Sequence, residues 1–226
     1  MTRFTTLLVG VALALSGTAA FGQFLPDGGV DQDDADLPPE GVYLSPTDVH
    51  AMYSGPSLDI VLQDIAHKPF RDRAQREQSG SDELETFDSQ LDGQVSVNEG
   101  PFMPITLTGQ VQVVTAGKWG QSTGTFDTEM ISMNLTGTMD STTVMIRESL
   151  TQSSAGQTMI SDIGGGQFHV DSFFDVWTEL SVDGGSNWIP QSSGPTRVNL
   201  VVPEPASMTL LAVGGLAAVA RRRRNR

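Results

Sequence analysis

Apolar and polar residues alternate with a period of two through much of this chain. In ITLTGQVQVV, Ile105, Leu107, Val111 and Val113 fall on one face, and mostly polar residues fill the other. The segments MISMNLTG (130–137), FHVDSFFDVWTELSV (168–182) and VNLVV (198–202) repeat the pattern. Alternation of this kind, rich in Thr, Val and Phe and interrupted by Gly and Asp, is typical of half-buried antiparallel strands.

The alternation also assigns residues to faces. It predicts these inward side chains in the second and third segments: Ile131, Met133, Leu135, Phe168, Val170, Phe174, Val176, Leu180 and Val182. The segment LDIVLQDI (58–65) also fits a helical stripe, but flanking prolines and β-branched residues favour a strand. We therefore predict an all-β fold, a single antiparallel β-sandwich of jelly-roll type with about eight strands, over residues 46–202.

Two polar segments interrupt the pattern. Residues 23–45 contain QFLPDGGVDQDDADLPPEG, whose Asp, Pro and Gly content predicts an extended or disordered acidic leader. Its Asp31, Asp33, Asp34 and Asp36 leave calcium binding open, although the glycine and distal glutamate of an EF-hand loop are missing. HKPFRDRAQREQSGSDELE (67–85) reads as a loop or a mobile excursion between strands.

Charge and cysteine content limit the possible functions. Residues 23–205 hold all 27 acidic residues and seven basic ones, a formal net charge of −20. Such a surface repels nucleic acid and anionic membranes. The chain has no cysteine, which excludes disulfides, a thiolate nucleophile and a Cys-based zinc site.

The first 22 residues have the layout of a secretory signal peptide. Arg3 precedes an apolar run from Leu7 to Leu15, and Ala20 and Gly22 stand at positions −3 and −1 before Gln23. The apolar run is too short to cross a hydrocarbon core about 30 Å thick. We predict export and cleavage by signal peptidase.

The C-terminal residues 203–226 contain three parts in order. Pro203, Glu204 and Pro205 come first, and an uncharged stretch from Ala206 to Ala220 follows. A cluster of Arg221, Arg222, Arg223 and Arg224 comes last. As a helix the stretch measures about 22 Å, and the arginines favour the cytoplasmic side. The exported chain is therefore expected to be held transiently in the inner membrane by this transmembrane helix.

This tail resembles the PEP-CTERM sorting signal of exported bacterial proteins. The resemblance covers about 24 residues. It implies that an exosortase, a membrane protease, cuts near the Pro-Glu-Pro and releases or transfers the body of the protein to the cell surface or the extracellular space.

SVDGGSNW resembles the Asp-box turn of sialidase-like propellers at Ser181, Asp183, Gly185 and Trp188. In such a turn the aspartate caps backbone amides, a glycine takes positive φ, and the tryptophan folds over the hairpin. In those propellers the turn is structural and remote from catalysis. We therefore predict a structural turn here.

The sequence shows no established catalytic motif, so the enzymatic candidates are isolated residues. His169, Asp171 and Asp175 share the predicted outward face of one strand with Glu179, and they suggest a metal or acid–base cluster. Exposed aromatic rings favour sugar binding, and the candidates are Trp119, Trp177 and Trp188. A solvated polar face and ordinary packing are the alternative interpretations.

These observations favour an exported, non-enzymatic protein of the cell surface or extracellular matrix, with no cofactor. The first alternative is a carbohydrate-binding module or a small glycan-active hydrolase, with an extracellular polysaccharide as partner. A remote alternative is an ice-binding protein, which strand faces with residues such as Thr106 and Thr108 permit.

Overall fold

The computed structural model describes residues 28–202, which form an all-β structure with no helix among them. All of its strand pairings are antiparallel. The strands are β1 (Val30–Gln32), β2 (Val42–Leu44), β3 (Ala51–Ser54), β4 (Asp59–Pro69), β5 (Gln75–Ser79), β6 (Asp82–Val97), β7 (Met103–Thr115), β8 (Gly124–Met139), β9 (Thr142–Glu148), β10 (Ser154–Gly164), β11 (Gln167–Val176), β12 (Thr178–Ser181), β13 (Ile189–Pro190) and β14 (Thr196–Val201).

Eight of these strands close into a barrel, because β10 pairs on one side with β8 and on the other with β11. The order around the ring is β10, β11, β14, β2, β4, β6, β7 and β8. The predicted two-sheet sandwich is not confirmed, since one sheet wraps around a single interior. Closure pairs the backbone groups that the edges of two separate sheets would expose. The in-and-out alternation is the same in both architectures, so the pattern could not separate them.

The wall continues beyond this ring at one end. Strands β6 and β8 are 16 residues long, and the far part of β8 pairs with β9 instead of β10. Strand β9 pairs with β12, and β12 pairs with β13. A bridge between Tyr53 of β3 and Gln191 joins this set back to β4, with which β3 pairs.

The inward side chains form one hydrophobic core. The four residues predicted inward on β7 are buried, and the same holds for most of those predicted on β8 and β11. The confirmed inward residues are Ile105, Leu107, Val111, Val113, Met133, Leu135, Val170, Phe174, Val176 and Leu180. Phe168 and Val182 are only partly buried against this core.

The inward assignment of Ile131 is wrong, because its surface is 43% exposed. The pairing of β7 with β8 shifts register between Gln112 and Val113. Met130 and Met133 therefore both point into the core, and Ile131 lies outside. One extra residue reverses which face every following side chain takes.

The ambiguous segment 58–65 is a strand, as favoured. It supplies most of β4, and Ile60, Leu62 and Ile65 are buried. Between Gln63 and Ala66 the register with β6 shifts, and Asp64 takes a left-handed backbone with φ +52°. This irregularity explains why the apolar residues do not alternate strictly here.

The predictions of a disordered leader and of a loop over residues 67–85 are wrong, because both segments contain strands. The part of the leader from residue 28 onward contains β1 and β2, and β2 is a wall strand between β14 and β4. The segment 67–85 contains the end of β4, all of β5 and the start of β6. The predicted boundary at residue 46 therefore cuts through the barrel.

Ion pairs explain how these polar segments become ordered. Arg71 contacts Glu40 and also lies 3.3 Å from Asp33. Arg76 lies 3.1 Å from Asp36. The acidic residues of the first segment are therefore bound to the cations of the second, a long-range complementarity that local composition does not reveal.

The predicted signal peptide (1–22) and sorting segment (203–226), with its helix, lie outside the described residues. Among residues 28–202 no helix is long and apolar enough to cross a membrane.

Candidate functional site

The Asp-box-like turn joins β12 to β13 and is organised around Asp183. Its carboxylate accepts hydrogen bonds from the Asn187 backbone N–H at 2.9 Å, the Asn187 side chain at 2.6 Å and the Ser181 hydroxyl at 2.8 Å. The Gly185 N–H donates to the Ser181 hydroxyl at 3.0 Å. These bonds, first the one from the Asn187 backbone, lower the pKa of Asp183 to about 2.

Trp188 lies beside this turn and is half-buried. The guanidinium of Arg147 on β9 lies 4.1 Å from the centre of its ring, within cation–π range. Arg147 also donates through Nε and Nη2 to Glu179 on β12, at 2.9 and 2.6 Å. One face of the indole is therefore occupied by a guanidinium that is itself fixed by a carboxylate.

The proposed cluster of His169, Asp171 and Asp175 does not assemble as one group. His169 contacts Asp31 through Nδ1 at 2.6 Å and Asp171 through Nε2 at 3.4 Å. Asp175 forms a separate bidentate pair with Arg197 at 2.6 and 2.7 Å. Two of the predicted outward residues, Asp171 and Glu179, are buried at 7% and 8% exposure. Within residues 28–202 no group of three or more His, Cys, Asp or Glu side chains is arranged to hold a metal ion.

The acidic residues of the leader do not converge either. Asp31 contacts His169, Asp33 lies near Arg71, and Asp36 lies near Arg76. Asp34 accepts a hydrogen bond from the Asp36 backbone N–H at 2.8 Å. Their carboxylates are therefore directed at protein groups in different places.

The other two tryptophans differ in their surroundings. The guanidinium of Arg76 lies 5.2 Å from the ring centre of Trp119. Trp177 lies between β11 and β12 and is partly exposed, and its backbone N–H donates to the Ser154 hydroxyl at 2.9 Å. Of the three sugar-binding candidates, two therefore already have an arginine against the ring.

A feature that the sequence reasoning missed is a charged cluster at one end of the barrel. Glu83 is fully buried, and Lys118 is 4% exposed. The Nζ atom of Lys118 lies 2.5 Å from Glu83 Oε1 and 3.6 Å from Asp36. Arg76 contacts Glu83 as well. Buried charges persist only when paired in this way.

Next to this cluster the barrel interior contains a cavity of about 50 Å³. The polar residues that line it include Glu85, His67, Lys118 and Thr128. Among the described residues, the Thr128 hydroxyl is buried without a hydrogen-bond partner. A second cavity of about 30 Å³ shares His67, Met130 and Val198 with the first.

Burial shifts the proton affinities of two side chains in this cavity. It raises the pKa of Glu85 to about 7, against a smaller opposing effect of Lys118. It lowers the pKa of His67 to about 4, and His67 Nε2 lies 2.9 Å from the Ser89 hydroxyl. Because Ser89 is only 1% exposed, this Ser–His pair is closed to substrates in the present conformation.

A signal for the cluster was present in the sequence. In DELETFDSQL, every second residue lies on the same face of a strand, and these residues are Glu83, Glu85, Phe87, Ser89 and Leu91. The burial of Phe87 and Leu91 therefore places both glutamates on the inward face of β6. Because a charge inside a protein must be paired, two acids on a predicted core face indicate that cations lie inside as well.

The fold and its interior define a small closed antiparallel barrel with a buried charged cluster at one end. The family model of the PEP-CTERM protein-sorting motif matches residues 201–224. This match confirms the motif recognised in the tail and supports an exported protein that is sorted by exosortase. No curated protein and no solved structure matches the chain.

The turn geometry predicts the effect of two substitutions. Asp183→Ala removes the acceptor of three hydrogen bonds and lowers the melting temperature. Trp188→Ala removes a half-buried ring and its cation–π contact, and it lowers the stability by about 2 kcal/mol, below the loss for a fully buried ring. Thermal unfolding followed by circular dichroism measures both, with the exposed-strand variant Asp88→Ala as control. An unchanged melting temperature for Asp183→Ala, with loss of a ligand affinity, would contradict the structural role.

The raised pKa of Glu85 predicts a pH dependence. The folded state holds this proton up to about pH 7, whereas the unfolded chain releases it near pH 4.5, so its contribution to stability falls as pH rises between these values. Glu85→Gln stays neutral, so its melting temperature exceeds the wild-type value at about pH 8 and approaches it as the pH falls below 4.5. The pKa values of Glu148 and His67 are shifted as well, so the pH dependence of either protein alone combines several groups. The quantity to measure is therefore the difference in melting temperature between the wild type and Glu85→Gln. A difference independent of pH would contradict the assignment.

Proposed function

We propose that this chain is an exported, non-enzymatic protein of the cell surface or extracellular matrix, built as a barrel that is delivered by its C-terminal sorting motif. The observation that carries the proposal is the sorting-motif match at residues 201–224. Signal peptidase removes residues 1–22, and the apolar segment 206–220 anchors the chain transiently until exosortase cuts near Pro203–Pro205.

The positions of the barrel termini support this processing. A Cβ atom added to Gly28 would lie 3.0 Å from the carbonyl oxygen of Leu200, so the two ends of the described chain lie side by side. Strand β14 ends at Val201 and is paired with both β11 and β2. A cut at Pro203 or beyond leaves this wall strand intact.

The packing of the interior supports a non-enzymatic role. The two interior cavities measure about 50 and 30 Å³, whereas ligand pockets commonly measure about 300 Å³ or more. An organic substrate of ordinary size therefore has to bind on the outer surface of the barrel.

The charge distribution shapes what this surface can bind. Residues 28–202 contain 25 acidic and seven basic residues, a formal net charge of −18. Five of the seven basic residues are held in ion pairs with carboxylates: Arg71, Arg76, Lys118, Arg147 and Arg197. Such a surface suits a neutral polysaccharide as matrix partner better than an anionic one.

Processing at both ends is testable by intact mass. The protein is recovered from the medium or surface of a host that has the sorting machinery. We expect loss of residues 1–22 and of everything after the Pro-Glu-Pro region. Replacing the four arginines by serine is the control, because it removes the topological signal and leaves the barrel unchanged. Recovery of Arg226 in extracellular wild-type protein would contradict the sorting proposal.

The non-enzymatic role is testable by a glycan array combined with a hydrolysis screen. We expect no release of reducing sugar from any polysaccharide and, at most, binding to neutral glycans. Trp177→Ala is the variant to compare if binding is found, because among the described residues no arginine lies against the Trp177 ring. Reproducible hydrolysis that is lost on a carboxylate substitution would overturn the non-enzymatic proposal in favour of a glycan-active hydrolase.

A further inference from the structure

We propose that the 50 Å³ cavity beside Glu85 is a binding site for a small primary ammonium ion such as ethylammonium. The cavity lies inside the barrel wall and is lined by Glu85, Lys118 and Thr128, by further polar residues such as Tyr43, and by a set of apolar side chains. Neither export nor display of the barrel on the cell surface requires such a site.

The first argument is the charge of the buried cluster. Two cations, Arg76 and Lys118, lie among three acids, Asp36, Glu83 and Glu85. Asp36 and Glu83 form ion pairs with both cations, whereas Glu85 forms no direct ion pair among the described residues and interacts with Lys118 only at longer range. Because Glu85 keeps its proton up to about pH 7, a bound ammonium group would take the place of that proton as the charge that balances the carboxylate.

The second argument is the hydroxyl of Thr128. It is buried, lines the same cavity, and has no hydrogen-bond partner among the described residues. A buried hydroxyl without a partner costs free energy, which a donor in the cavity would recover. An ammonium group has three donors, enough for the carboxylate of Glu85 and the oxygen of Thr128 together.

Most of the remaining wall of the cavity is apolar and suits a short hydrocarbon. Phe87, Val113, Met130, Ile160 and Phe174 line it. His67 and Lys118 also line it. The low pKa of His67 keeps it neutral, and the charge of Lys118 is paired with Glu83 at 2.5 Å. The ligand is therefore an ammonium group with an apolar tail.

Cavity size limits the length of that tail. A dry cavity of about 150 Å³ holds benzene, so 50 Å³ accommodates about two or three non-hydrogen atoms. The second cavity adds about 30 Å³ beyond Met130, whose flexible side chain can adjust. Methylammonium and ethylammonium fit these limits, whereas aromatic amines do not.

The segment that covers one side of the cavity favours a cation as ligand. This covering segment contains Gln32, Ala35, Leu37 and Pro39. Asp33 of this same segment lies 3.3 Å from Arg71 and keeps 71% of its side chain exposed. The formal net charge of −18 over residues 28–202 raises the local concentration of cations around the barrel and lowers that of anions.

The test is an NMR titration of the full-length chain in mild detergent, with the methionine methyl groups labelled. Met130 lines both cavities, and Met130→Leu assigns its signal. We expect ethylammonium chloride to shift this signal saturably. Ethanol, which matches it in size without the charge, and acetate, which carries the opposite charge, are expected to produce no saturable shift.

Two cavity variants and one matched control complete the design. Glu85→Gln is expected to weaken ethylammonium binding by about tenfold or more, and Thr128→Val by several-fold. Asp88→Asn removes the same charge from the exposed face of β6 and is expected to leave affinity unchanged. The methyl spectrum of each variant reports whether it is folded. No saturable shift with ethylammonium, equal binding of ethanol or acetate, or equal affinity of Glu85→Gln and Asp88→Asn would each overturn the proposal.

Discussion

The hydrogen bonds of β10 to both β8 and β11 are the constraint on which the rest of this structure depends. They convert a long antiparallel sheet into a closed wall with a single interior. Closure makes the inward face of each wall strand part of one core, from Ile60 on β4 to Leu200 on β14. It also creates an inside in which polar groups have little access to water, and this shapes the chemistry of the inward-facing Glu83 and Glu85 of β6.

The charged cluster at one end of the barrel combines two roles. Through Asp36 it fastens the covering segment to Arg76 and Lys118, so the chain that follows β1 is held over the interior. Through Glu83, which contacts both cations, it holds Arg76 and Lys118 together; Glu83 and Asp36 jointly balance their two charges. Removing one member would leave another buried charge unpaired, which costs far more than losing an exposed ion pair.

The candidate sites were predictable to different degrees. The turn around Asp183 depends on residues within seven positions of one another, and its hydrogen bonds have the pattern expected of a capped turn. The grouping of His169 with Asp175 failed because a neighbouring strand supplies Arg197, which takes Asp175 instead. The cavity was missed because its lining comes from residues as far apart as Gln32 and Val198.

The sequence by itself determined the all-β class, most of the inward faces and the sorting motif, because periodicity, turn chemistry and a short linear signal are local properties. Tertiary structure alone decided that the sheet closes, that Ile131 turns outward at a bulge, and that the polar segments 28–45 and 67–85 belong to the barrel. Each of these outcomes depends on pairing between distant strands or on attraction between distant charges. Neither leaves a periodic trace in the chain, so only the folded barrel reveals them.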